Sequence, residues 1–131
     1  MKRTAVNPWA WSLQLGYNQA EIIEQTSRQL ICAGQTSVNE QGQPQHIDDM
    51  RHQIILALDN LEAVLKSADM NLTNIIKLAI YTTDVDAAMQ NFDVLGERFG
   101  PVQAAPPLTL LGVTRLALPG LMFEIEATAA D

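Results

Sequence analysis

Between Ala105 and Glu126 the chain reads APPLTLLGVTRLALPGLMFEIE, and this stretch restricts the fold more than any other. From Leu108 to Leu118 the even positions are Leu108, Leu110, Gly112, Thr114, Leu116 and Leu118; the odd ones are Thr109, Leu111, Val113, Arg115 and Ala117. Neither set is polar, so a strand over Leu108–Leu118 needs cover on both faces, for example by helices on one and another subunit on the other. The segment that follows is different. Leu121, Phe123, Ile125 and Ala127 alternate with Met122, Glu124, Glu126 and Thr128, the period of a strand with one apolar face. Pro119-Gly120 between the two reads as a turn.

The 131 residues suit one domain with a single core and no disulfide or metal support. With 47% hydrophobic and 18% charged residues the chain is globular rather than disordered. A formal net charge of −7 argues against a nucleic-acid partner, whose phosphates require clustered Lys and Arg. Cys32, alone in the apolar run QLICAG, reads as a small buried hydrophobe. The N-terminus lacks the pattern of a signal peptide, and no apolar run approaches the length of a membrane span. The expectation is a cytoplasmic protein with no membrane partner.

Taken in order, Arg3–Val6 suggests a short strand and Asn7-Pro8 a loop. The spacing of Trp9 and Trp11 would put both rings on one side of an extended segment. Gln19–Glu24 and Gln29–Ala33 read as two strands of a hairpin joined by the polar Gln25–Arg28, and Gly34 ends the second. After the polar loop Asn39–His46, apolar residues recur every three or four positions through Ile47, Met50, Ile54, Leu58, Leu61, Leu65 and Ala68. That spacing marks a helix, with Asp48 and Asp49 at its start. His46 and His52 near its first turn have no partner at metal-ligand spacing and read as surface residues. Asn74–Tyr81 is a central-strand candidate. Thr83-Asp84 caps a second helix over Val85–Phe99, which Gly100-Pro101 stops. Two helices cannot cover both faces of a sheet, so oligomerisation is the economical way to bury the remainder.

No nucleophile triad, phosphate loop, dinucleotide fingerprint or cysteine cluster is present, and no metal or cofactor is expected. Glu124 and Glu126 share one strand face about 7 Å apart. That spacing is compatible with a glycosidase pair, but it is far commoner on a solvated strand.

In order and spacing, Gly16-Tyr17-Asn18-Gln19-Ala20, Ile31-Cys32-Ala33-Gly34-Gln35, the long helix, Ile76-Lys77 with Asp84, Asn91, Val113-Thr114-Arg115-Leu116 and Glu124-Ile125-Glu126-Ala127 resemble the Rid family, the YjgF-type reactive intermediate deaminases. The resemblance covers nearly the whole chain. It implies a chorismate-mutase-like α+β fold, a mixed sheet with two helices on one face. It also implies a homotrimer around a central barrel, with small-molecule clefts between subunits. Deaminating members hydrolyse enamines and imines, such as 2-aminoacrylate, to 2-keto acids and ammonia, holding the substrate carboxylate with an arginine. Residue by residue, the catalytic glutamate matches Glu124 and the binding positions match Tyr17, Ala33 (a serine in the family), Gly34 and Asn91. The arginine has no counterpart. Its position, seven residues before Arg115, is Leu108.

Charge-assisted hydrogen bonds contribute about 1.5–3 kcal/mol each, and leucine supplies none. Arg115 would lie roughly 23 Å along a regular strand and point to the opposite face. Two readings follow. In one the protein hydrolyses an imine, enamine or related C–N bond of a less acidic substrate: Glu124 activates water, Tyr17 and Asn91 position the ligand, and Leu108 and Leu110 with Trp9 or Trp11 shape an apolar pocket. In the alternative the trimer binds a metabolite or regulates a partner without catalysis. The keto-acid-forming deaminase ranks below both. The ribonuclease or translation-inhibitor role ascribed to some members is the weakest reading for so acidic a chain.

Overall fold

A computed structural model describes residues 1–131. Its centre is strand β5 (Ile75–Thr82), which pairs antiparallel with β7 (Phe123–Ala130) and parallel with β6 (Leu108–Gly112). The far edge of β7 is shared by two short strands, β3 (Gln29–Ile31) and β4 (Gln35–Thr36). Both long strands alternate: Leu78, Ile80, Thr82, Phe123, Ile125, Ala127 and Ala129 are buried, while Lys77, Ala79, Tyr81, Glu124, Glu126 and Thr128 face away from them.

The buried face lies under α2 (Met50–Ser67). Ile54, Leu58, Leu61 and Leu65, spaced by four, three and four residues, are wholly removed from solvent. Each contributes on the order of 1.5–3 kcal/mol by burial. The helix begins three residues later than its apolar stripe, because Asp49 takes the cap and accepts from His52 N–H at 3.1 Å, leaving Ile47 exposed. His46 and His52 are on the surface, as their spacing suggested.

Gln53, wholly buried in the middle of this apolar helix face, is explained by its hydrogen bonds. Its Nε2 donates to the carbonyls of His46 (3.1 Å) and Gly120 (2.9 Å), and its Oε1 accepts from Met122 N–H (2.8 Å). The turn at Pro119-Gly120, with Gly120 at φ +84°, is thereby tied to the helix.

Several sequence expectations are corrected. The hairpin is formed by β1 (Lys2–Val6) and β2 (Ala20–Glu24), not by the two segments flanking Gln25–Arg28. The chain leaves β2 through Gln25 at φ 57°, and β3 joins β7 instead. Arg3 explains the choice: it pairs with Glu21, whose side chain is 7% exposed, and donates to the carbonyls of Thr73 and Ile75. β1, β2 and the entry to β5 are thus pinned together.

The second correction concerns the strand expected over Leu108–Leu118, which ends at Gly112. There Val113 N–H bonds Thr82 O, and the remaining residues loop back with Leu116 buried. Only five of the eleven positions are strand, so the geometry expected for Arg115, which is exposed, does not apply. Finally, the helix expected over Val85–Phe99 is two, α3 (Val85–Gln90) and α4 (Asp93–Phe99). Asn91 breaks it by turning its Nδ2 back to Ala87 O at 2.8 Å.

Between β1 and β2 lies α1 (Trp11–Gln14). Trp11 therefore begins a helical turn instead of alternating with Trp9 on an extended segment, and both rings are exposed. No helix is long and apolar enough to cross a membrane.

Candidate functional site

Register divides the candidate residues into two groups. Antiparallel pairing sets Glu124 opposite Tyr81 on one side and opposite Thr36 on the other. β3 and β4 are separated by Cys32–Gly34, where the edge of the sheet is interrupted, and Gly34 abuts the Glu124 side chain. A Cβ placed on Gly34 would fall 1.9 Å from Glu124 Oε1 and 2.7 Å from Cδ. Gly34 does not have positive φ; close approach of the carboxylate is what demands glycine there. Its neighbour Ala33 is exposed and has no polar side-chain atom to offer.

Removal from water, and after it the neighbouring charge of Glu126, push the Glu124 carboxyl above the ordinary glutamate range. Glu126 is itself held: Tyr81 Oη donates to its Oε1 at 2.7 Å, a contact that pushes the phenol's pKa up. On the same face Lys77 Nζ donates to Thr109 Oγ1 at 2.8 Å. A carboxyl whose pKa is raised holds a proton more readily than an ordinary glutamate, the direction that general acid–base chemistry calls for.

The second group surrounds an open cavity of about 820 Å³ between the sheet edge at β6, the helices α3 and α4, and the loop entering β2. Leu108 and Leu110 reach it because β6 pairs with Leu78 and Ile80, on the helix-covered face. Met89 and Phe99 line it as well, and so does Tyr17. None of the residues lining it is charged. Trp11 packs edge-on against Tyr17, ring centres 6.2 Å apart, without reaching the cavity itself. Asn91 does not line it either, and its amide donates to the helix backbone.

A model of the endoribonuclease L-PSP family matches residues 12–131. The chain belongs to that family. This is the Rid or YjgF-type family that the motifs resemble, and the α+β, chorismate-mutase-like fold agrees with its solved members. The RutC family protein YjgH of Escherichia coli is 29% identical over 129 residues, which is 98% of this chain and 95% of the relative. Rid-family YyfB of Yersinia pestis, itself of unknown function, superposes with a TM-score of 0.86 at 30% identity over the whole of both chains. TdcF of E. coli, solved with bound serine, has a TM-score of 0.70 at 27% identity, covering 88% of this chain and 87% of its own.

Within this Rid-family chain, Glu124 and Gly34 are in contact and Tyr17, Leu108 and Leu110 share a cavity, but the two groups leave opposite faces of the sheet. Sequence reasoning left Tyr81 out of the site. A tyrosine ending an apolar strand carries no functional signal until the register with β7 is known. Met89 and Phe99 read as ordinary core positions and turn out to wall the cavity.

Proposed function

We propose that this Rid-family protein binds a small, uncharged and largely apolar metabolite in the cytoplasm and hydrolyses its imine or enamine C–N bond, with Glu124 as the group that moves the proton. The observation that carries this reading is the Glu124 carboxyl seated against Gly34 with its pKa raised. Glu124 takes a proton from water as the oxygen bonds to the C=N carbon and the π electrons pass to nitrogen, and it then gives that proton to the nitrogen. As the carbinolamine collapses, its hydroxyl proton passes by way of Glu124 to the nitrogen, the C–N bond breaks, and ammonia leaves with a carbonyl remaining. The uncharged lining around Leu108 has no partner for a substrate carboxylate, whose desolvation against hydrocarbon is unfavourable. TdcF holds serine; the ligand here differs in lacking a group that needs a cationic clamp.

Because Leu108 and Glu124 leave opposite faces, a complete cleft calls for two copies of the chain, one giving its cavity and the other its Glu124 face. This supports a homotrimer with sites between subunits. Exposed Leu111 and Ile31 beside the Glu124 face are suited to such a contact. A non-catalytic binding role remains the second reading, favoured by the self-bonded Asn91 amide, which leaves the ligand one donor fewer.

Imine hydrolysis, followed as released ammonia, tests the proposal on wild type, Glu124→Gln and Leu108→Arg. Neutral imines are expected to turn over in wild type and to lose on the order of 10²-fold or more in Glu124→Gln. Imino acids are expected to gain in Leu108→Arg. Turnover that is unaffected in Glu124→Gln sinks the role of Glu124, and no turnover of any imine by wild type or Leu108→Arg leaves the binding role. Sedimentation at micromolar concentration checks the assembly, a monomer being the outcome that removes the shared cleft.

A further inference from the structure

We infer that Tyr81 and Glu126 are positioning residues for Glu124: the phenol pins the Glu126 carboxylate beside Glu124 on the strand, and this fixed negative neighbour makes Glu124 a proton donor as well as an acceptor. The inference rests on the reading of Glu124 as the proton-handling group and adds the device that tunes it.

Its basis is the ladder geometry. Glu124 and Glu126 lie on one face of β7 because strand side chains alternate. Left free, two like charges at this spacing would splay apart into solvent. Tyr81 prevents that. It is the cross-strand partner of Glu124, yet its hydroxyl reaches diagonally to Glu126, donating at 2.7 Å. The anchor lies in β5, which is paired on both sides, with β7 and with β6.

The other groups around Glu124 leave this pairing uncompensated. From β4 the neighbours are Gln35 and Thr36, both uncharged, and from the strand break Gly34, which has no side chain. On β5 the one cation is Lys77, paired in register with Thr128 and donating to Thr109. β6 adds Thr109 and Leu111 to this face, neither of them titratable. Of all these, only Glu126 is a charge acting on Glu124, and it acts in the same direction as burial. Both effects favour the protonated acid.

Carboxyl-carbon NMR titration of Glu124 in the full-length protein tests this without any substrate. Backbone spectra serve to confirm that each variant is folded. The Glu124 midpoint is expected to fall in Glu126→Gln, which removes the charge. It should fall less in Tyr81→Phe, which only frees the charge to turn away, and Glu126→Asp, which keeps a charge, should stay above Glu126→Gln. A midpoint unmoved in folded Glu126→Gln overturns the inference whatever the enzyme does. In the hydrolysis assay, the acidic limb of kcat/KM is expected to move to lower pH in Glu126→Gln. If the titration moves as expected but Glu124→Gln leaves hydrolysis intact, the charge pairing is upheld and the catalytic reading of Glu124 falls, so the two failures are distinguishable.

Discussion

The two faces of the central sheet are made from the same strands, residue by residue, and have opposite characters. On β7, Phe123, Ile125 and Ala127 point into the core beneath α2, while Glu124, Glu126 and Thr128 point away from it. The first face is held mainly by apolar burial and accommodates the polar side chains of Gln53 and Thr82 because their hydrogen bonds are met, Thr82 Oγ1 donating to Met122 O at 2.7 Å. The second carries a carboxyl pair whose mutual repulsion is kept in place by a tyrosine. The buried core and the carboxyl pair are thus assigned to alternate residues of one strand. A substitution that damages one need not damage the other.

The strongest way to break this contrast is to truncate neighbours on β7. Phe123→Ala is expected to cost about 3–5 kcal/mol in urea unfolding, whereas Glu124→Ala, beside it, should cost little or be stabilising. Equal losses would mean that the faces do not divide the work. Next in size is Gln53→Leu, which strips the acceptor from Met122 N–H and the donor from two carbonyls. A loss of about 1–3 kcal/mol is expected, and a neutral result would show that water reaches the turn at Gly120.

Gly34→Ala sharpens the comparison from the other side. The new Cβ meets the Glu124 side chain, which can swing away, so unfolding should change by no more than about 1 kcal/mol. Hydrolysis should drop as steeply as in Glu124→Gln; activity retained in Gly34→Ala would show that the seat is not required.

The smallest effect is a pH dependence. Since the folded protein holds the Glu124 proton more tightly than the unfolded chain does, wild-type stability declines as pH rises from the ordinary glutamate range through the raised native value. Glu124→Gln lacks this contribution. Its stability relative to wild type should therefore be greater at pH 7 than at pH 4, and a constant difference between the two would indicate that the carboxyl is not perturbed.

Much of this was legible in the amino-acid order. The stripe Ile54, Leu58, Leu61, Leu65 marks its helix by period alone, and the alternation through Phe123, Glu124, Ile125 and Glu126 marks both faces of β7, because each pattern repeats within a few residues. Glu124 and Gly34 were recognisable from family motifs. The partner of each strand was less accessible. The segments flanking Gln25–Arg28 have every local mark of a hairpin, yet Arg3 draws β2 to β1 by pairing with Glu21, 18 residues along the chain. The break at Asn91 depends on a side chain choosing a carbonyl over solvent, a competition of about 1 kcal/mol that local pattern cannot decide.

What the sequence determined by itself is therefore local: which residues are apolar neighbours along one helix or one strand, and to which family the chain belongs. Tertiary structure decided what depends on pairing between distant segments. It put the Gly34 backbone against Glu124 Oε1, Tyr81 on Glu126, and Leu108 on the face opposite Glu124. The physical reason is the two-residue period of a strand: shifting a register by one residue exchanges the faces, and register is set by contacts among strands far apart in the chain.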